Sequence, residues 1–261
     1  MSMPTHHTAK TIVMPLPSSD FDPTEIAVTW QILTNAGHTV IFATPDGRVS
    51  AADAKMVTGE GLGLLGTLLR ADDNGRHAYQ ALLSDNNFNH PLDYTALQVA
   101  NFDGLILGGG HAVGMKTYLE STILQQFVGL FFDSNKPIGA ICHGVVLAAR
   151  CISPQTGKSV LLGKKTTALP EFMELSAWAL TKYKVGDYYR TYPITVQKEV
   201  SLALKQPSDF IVGPILSLRA ALRDSPTKLH LGFTVQDGQY LSARWPGDAH
   251  RFATEFLGLF A

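Results

Sequence analysis

Residues 136–150 read KPIGAICHGVVLAAR, and the order of residue types within them decides the architecture. Pro137 to Ile141 is a short apolar run, the pattern of a strand buried on both faces. The run stops at Cys142-His143-Gly144, and Val145 to Arg150 continues with residues that suit a helix. A buried strand turning at once into a helix lifts its turn residue above the sheet edge, at the positive end of the helix dipole. A cysteine there is a nucleophile elbow carrying a thiol, with an imidazole one residue away.

Outward from the elbow, strand and helix patterns alternate. Thr11 to Leu16 reads as a first strand, and Pro23 to Ala36 as a helix with proline at its start and Gly37 at its close. Thr39 to Ala43 is a second strand, ended by the turn Thr44-Pro45-Asp46-Gly47. Leu105 to Leu107 is a third, followed by Gly108-Gly109-Gly110; Leu119 to Phe132 is the helix before the elbow strand Ile138 to Ile141. Leu231 to Val235 and Tyr240 to Ala243 flank Asp237-Gly238 as a hairpin, and a last helix runs from about Asp248 to Leu259. This alternation predicts a single α/β domain over residues 1–261, a flavodoxin-like parallel sheet flanked by helices on both faces. Residues 48–100, rich in Gly, Asp and Asn and without sustained periodicity, read as an inserted excursion over the active-site face with room for short helices.

Composition narrows the function classes. The 261 residues are 45% hydrophobic and 16% charged, with a formal net charge of −1. That balance offers no electrostatic footprint for nucleic acid or an anionic membrane surface. The apolar runs are short and broken by Gly, Pro or charge, and the N-terminal MSMPTHHTAK lacks the apolar core of a secretory signal. With only Cys142 and Cys151, too close in sequence to staple a fold, a reduced, cytoplasmic protein is expected.

Each candidate residue has an ordinary reading beside its chemical one. A free thiol of pKa ~8.5 is only about 3% thiolate at pH 7, whereas a pKa of ~5.5 makes it nearly all thiolate, a difference of roughly 4 kcal/mol. The elbow predicts such a lowering at Cys142, against the commoner fate of cysteine as a buried structural residue. Cys151, at the far end of the elbow helix, reads as structural. His143 is either the base or a turn residue, and its N–H is the first donor after the nucleophile, where an oxyanion hole needs one. Gly110, at the carboxyl end of a strand, can supply the second donor. A phosphate loop would require a following Lys-Ser/Thr, which is absent. Glu25, in the first turn of the first helix, is by spacing alone a capping acid. Glu174 stands near a new helix start and is ambiguous. His77, His90 and His111 are scattered without metal-ligand spacing, so no metal is assigned.

The elbow, the Leu-Gly-Gly-Gly-His turn at 107–111 and the early Glu25 together resemble the ThiJ/PfpI superfamily, the class I glutamine amidotransferase-like fold. The resemblance covers most of the chain and is closest to the branch of glyoxalase III and heat-shock chaperones. It implies that Cys142 is the nucleophile, His143 its neighbouring histidine and Glu25 the carboxyl that hydrogen-bonds the sulfur. It further implies an acid downstream that completes a Cys-His-acid triad; the register favours Glu174, with Glu171 one turn earlier as the rival. No His-x-Glu pair surrounds His250, which sets glutamine amidotransferase activity aside. The implied activity is cofactor-independent conversion of small 2-oxoaldehydes, such as methylglyoxal to lactate, by a homodimer that binds a small carbonyl substrate. The alternatives are a cysteine amidase or peptidase, and a non-enzymatic chaperone or redox-stress sensor.

Overall fold

A cysteine can sit at the mouth of a cleft only if the strand beneath it is fixed on both sides, and the sheet supplies that. The computed structural model describes residues 8–63, 66–214 and 222–261. Along the chain it runs β1 (Thr11–Pro15), α1 (Pro23–Asn35), β2 (Thr39–Thr44), α2 (Ala54–Thr58), α3 (Gly66–Leu69), α4 (Asp73–Leu82) and α5 (Asn86–Asn89). It continues with β3 (Leu92–Asp93), β4 (Gly104–Leu107), α6 (Lys116–Leu119), α7 (Thr122–Asp133), β5 (Ile138–Ile141) and α8 (Gly144–Arg150). The remainder is α9 (Glu171–Val185), α10 (Val196–Leu202), β6 (Thr234–Asp237), β7 (Tyr240–Ala243) and α11 (Ala249–Leu257).

These strands form one seven-stranded sheet in the order β3-β2-β1-β4-β5-β7-β6, parallel except for β6, which pairs antiparallel with β7. Every residue of β4, β5 and β7 is buried, which is why their sequences are apolar or small without alternation. α1 packs against α4 and α11, and α8 against α7 and α10. Strand order reverses between β1 and β4. At that switch point of an open α/β sheet, the loops beyond the carboxyl ends of the strands form a crevice. The glycine turn after β4 and the elbow after β5 both open into it.

The differences from the sequence reading have local causes. The helix expected over 119–132 is divided, because Ser121 caps α7 by accepting from the Leu124 N–H at 3.3 Å. The hairpin's first strand begins at Thr234, since Leu229–Leu231 closes into a 3₁₀ turn. The segment 48–100 is more than an excursion. Asp72 caps α4, which lies along α1, and β3 adds an edge strand to the sheet. Only its first part, around α2 and α3, reaches the crevice, where a small cluster of Met56, Leu62 and Tyr189 forms apart from the main core.

Candidate active site

Cys142 has φ +57°, a left-handed conformation that costs a non-glycine residue on the order of 1–2 kcal/mol. Its frame holds it there. The Cys142 N–H donates to Ala243 O of β7 at 3.1 Å, and its carbonyl accepts from Val145 N–H at 3.2 Å to start α8. Two glycines make the turn possible. A Cβ on Gly144 would lie 2.1 Å from the Leu107 carbonyl oxygen, so only glycine lets α8 rest on β4. A Cβ on Gly109 would lie 2.7 Å from Glu25 Oε2, 2.8 Å from the His143 nitrogen and 2.9 Å from Cys142 Cβ. The glycine turn is therefore the wall against which the nucleophile, the imidazole backbone and the carboxyl meet.

Glu25 enters from α1. Asp22 caps that helix, accepting from the N–H groups of Thr24 at 2.8 Å and Glu25 at 3.0 Å, and this fixes the first turn. The Glu25 side chain is fully buried, and Oε2 accepts from the Gly109 N–H at 2.8 Å. Among the described residues Oε1 has no hydrogen-bond partner, and the carboxyl lies beside the Cys142 thiol, the two raising and lowering each other's proton affinity. Burial first, then the charge of Asp22, pushes the Glu25 carboxyl well above the usual carboxylate range, which favours its protonated form. Asp22 itself is raised to about 6, mainly by burial.

His143 presents Nδ1 to Cys142 Sγ at 3.5 Å. Burial, then His111 and Arg150, lower its pKa to about 3, so the ring is neutral. The thiol is also buried, and burial pushes it up rather than down. This corrects the expectation of a standing thiolate: withdrawal from water outweighs the field of a short helix. The resting group is a neutral thiol facing a neutral imidazole, with a buried carboxyl alongside.

Glu174 is a second correction. The structure does not bring it to His143: Oε2 accepts from the Val196 N–H at 2.8 Å at the start of α10, and Oε1 lies 3.6 Å from Arg190 Nε. Burial raises its pKa to about 7. Glu171, one turn earlier, is tied to the start of α10 by its backbone N–H, which donates to Gln197 Oε1 at 2.9 Å. The far nitrogen of the imidazole, Nε2, meets Thr191 Oγ1 at 3.3 Å instead. Gly110 lies at the turn with φ +155°, and its neighbour His111 stacks on Tyr189 at 4.3 Å and meets Tyr188 edge-on at 4.9 Å. The Tyr188 hydroxyl donates to Asp53 Oδ2. These residues join the elbow through Thr191, which bonds the His111 carbonyl and meets His143, and form what is called its roof here; Cys142 is 5% exposed. Outside the roof lies a cavity of about 600 Å³ lined by, among others, Asp20, Lys55, His111, Lys116, Arg190 and Thr191.

Thr191, His111 and the two tyrosines were not assigned to the site from sequence. His111 alone carried a signal, through its place after the glycine turn. Among the described residues no group of three His, Cys, Asp or Glu side chains is arranged to hold a metal, and no helix is long and apolar enough to cross a membrane.

Known proteins share the fold and the family of this chain. A Schizosaccharomyces pombe protein named only as uncharacterized is 24% identical over 189 residues, 72% of this chain and 68% of its own length. The glutathione-independent glyoxalase hsp3101 of the same yeast is 28% identical over 155 residues, 58% of this chain and 59% of the glyoxalase. Among solved structures, the Francisella tularensis rapid encystment protein of 24 kDa superposes with a TM-score of 0.69 at 15% identity, covering 97% of this chain and 99% of that one. Glyoxalase III from Candida albicans superposes with a TM-score of 0.65 at 17% identity, covering 98% of each chain. At such identities the superpositions establish the fold. The model of the family described as ThiJ/PfpI family-like matches residues 16–214, a span that holds Glu25, the glycine turn, the elbow and Thr191. Because that match extends over most of its length, the chain belongs to the ThiJ/PfpI-like family.

Proposed function

We propose that the protein is a cysteine-dependent enzyme that converts small 2-oxoaldehydes, with methylglyoxal as the type substrate, to 2-hydroxy acids. The observation that carries this reading is the buried trio of Cys142 thiol, neutral His143 Nδ1 at 3.5 Å and Glu25 carboxyl. Cys142 Sγ attacks the aldehyde carbon while its proton passes to Nδ1, giving a hemithioacetal whose oxygen takes hydrogen bonds from the Gly110 and His143 N–H groups. Nδ1 returns that proton to the hemithioacetal oxygen, and the imidazole, neutral again and beside the Glu25 carboxyl, then moves the proton from that carbon to its neighbour through an enediol, which oxidises the first carbon and reduces the second. The product of this step is a 2-hydroxy thioester on Cys142. Water hydrolyses it to the acid and restores the thiol, so the net reaction is addition of water and no external electron carrier takes part.

The glyoxalase names of two relatives support this choice. A peptidase reading is weaker, because a polypeptide does not readily reach a sulfur that is 5% exposed, whereas a three-carbon aldehyde needs little room. The test is lactate formation from methylglyoxal without glutathione. Wild type should turn over, Cys142→Ala should fall to background, and Glu25→Gln should lose on the order of a hundredfold. Absence of product from a panel of 2-oxoaldehydes with folded wild type would sink the reading.

A further inference from the structure

A base next to a thiol is useful only if the correct ring nitrogen is bare. His143 has two neighbours that bear on this: Cys142 Sγ at Nδ1 and Thr191 Oγ1 at Nε2, 3.5 and 3.3 Å away. The proton on the imidazole must face one of them, and the hydrogen bonds of Thr191 decide which. Its hydroxyl lies 2.5 Å from the His111 carbonyl oxygen, which can only accept, so the single hydroxyl hydrogen is committed there. What Thr191 turns toward His143 is a lone pair. Nε2 must therefore carry the hydrogen, and Nδ1 presents its lone pair to the thiol.

We propose that Thr191 is the positioning residue of this site, fixing His143 as the Nε2–H tautomer so that Nδ1 is the base for Cys142. The inference rests on reading Cys142 as a nucleophile and is independent of which carbonyl compound it attacks. The chain of contacts runs from the glycine turn through the His111 carbonyl to Thr191, to the imidazole and to sulfur. His111 is held in turn by its stack on Tyr189, so the orientation of the ring is set by the roof. Glu174, the acid that the family resemblance put in this role, is occupied with the N-terminus of α10 and Arg190.

A hydroxyl in place of a carboxylate changes the chemistry as well as the partner. An acid both orients the ring and stabilises the imidazolium that forms when it takes a proton. Thr191 orients it without supplying a charge. The thiol thus stays protonated at rest, in keeping with the burial of both groups, and the proton leaves sulfur only as the new bond forms.

The test uses the rate of Cys142 carbamidomethylation by iodoacetamide together with ¹⁵N chemical shifts of His143 in the full-length protein. The wild-type ring should give the signature of a neutral Nε2–H tautomer at pH 7. Thr191→Val, which keeps the shape and removes the lone pair, should lower the alkylation rate ten- to a hundredfold, less than the ~10⁴ seen when a triad acid is neutralised. It should also bring the Nδ1–H form into view, whereas Thr191→Ser should restore wild-type values within about threefold. A wild-type Nδ1–H tautomer, or an unchanged alkylation rate in a folded Thr191→Val variant, would overturn the proposal. If the valine variant does not fold, the wild-type tautomer and the serine variant still decide it. Because no aldehyde enters the assay, a protein without glyoxalase activity can pass, and an active one can fail.

Discussion

The floor and the roof of the site are built from different material. The floor is β5, the elbow and the first turn of α1, all within the main core, with Cys142, Glu25 and the glycine turn locked by main-chain contacts. The roof comes from two segments far apart in sequence, around α2–α3 and from α9 to Thr191. Its own cluster is small: Met56, Leu62 and Tyr189, with partly buried Trp178 and Leu69. On α9, Leu180 and Tyr183 remain exposed. Local opening draws on the regions with the fewest buried apolar contacts, so the floor can hold the left-handed Cys142 while the roof opens at lower cost. Cleft chemistry of this kind divides rigidity and access between two parts of one chain.

The strongest challenge to a rigid floor is Gly144→Ala. Its methyl group would meet the Leu107 carbonyl at 2.1 Å, and neither backbone can yield without moving β4 or α8. We expect a loss of about 4 kcal/mol or more in chemical denaturation, or failure to fold. A near-neutral effect would mean that the elbow is far softer than its packing implies.

Asp22 sharpens the comparison from the electrostatic side. Its pKa rises from an ordinary 3.8 to about 6 in the folded protein. A carboxyl raised on folding contributes stability that is complete below pH 3.8 and is lost as pH climbs through 6. Asp22→Asn keeps an oxygen to cap α1 and removes the titration. It should be more stable than wild type at pH 7.5 by on the order of 2 kcal/mol, with the difference vanishing near pH 4. Thermal melts across that range test it; a constant difference at all pH values would refute the assignment.

The smallest effect on stability is expected in the roof. Tyr188→Phe deletes the hydroxyl that donates to Asp53. It should cost ~1 kcal/mol or less overall, yet speed the reaction of iodoacetamide with Cys142 several-fold by loosening the cover. If stability falls without any gain in thiol access, the roof is part of the rigid frame and the contrast fails.

What the sequence made legible follows the same division. The elbow is contiguous, so strand, Cys142, His143 and helix could be read from adjacent residues, and the glycine turn from its place after a strand. Glu25 required the family resemblance, since spacing alone made it a capping acid. The roof was not legible, because Tyr188–Asp53 and Thr191–His143 join residues far apart in the chain with no periodicity to announce them. Glu174 was misplaced for a related reason: it is buried as an acid near the site would be, but its carboxyl closes the start of α10. The α4 helix was expected only as one of the unplaced short helices of a polar stretch, although its Asp72 cap is an ordinary start signal.

The pairing of Cys142 N–H with Ala243 O has a consequence for synthesis. Although the nucleophile is encoded in the middle of the chain, the strand that pins its outer side, β7, is made about a hundred residues later. On the ribosome, β1, β2, β4 and β5 can emerge and pair while the place beside β5 is still empty. Until residues 240–243 arrive, the turn at Cys142 lacks one of the two contacts that hold it left-handed. An incomplete polypeptide therefore carries an ordinary cysteine, and the reactive geometry is assembled only when the C-terminal hairpin docks.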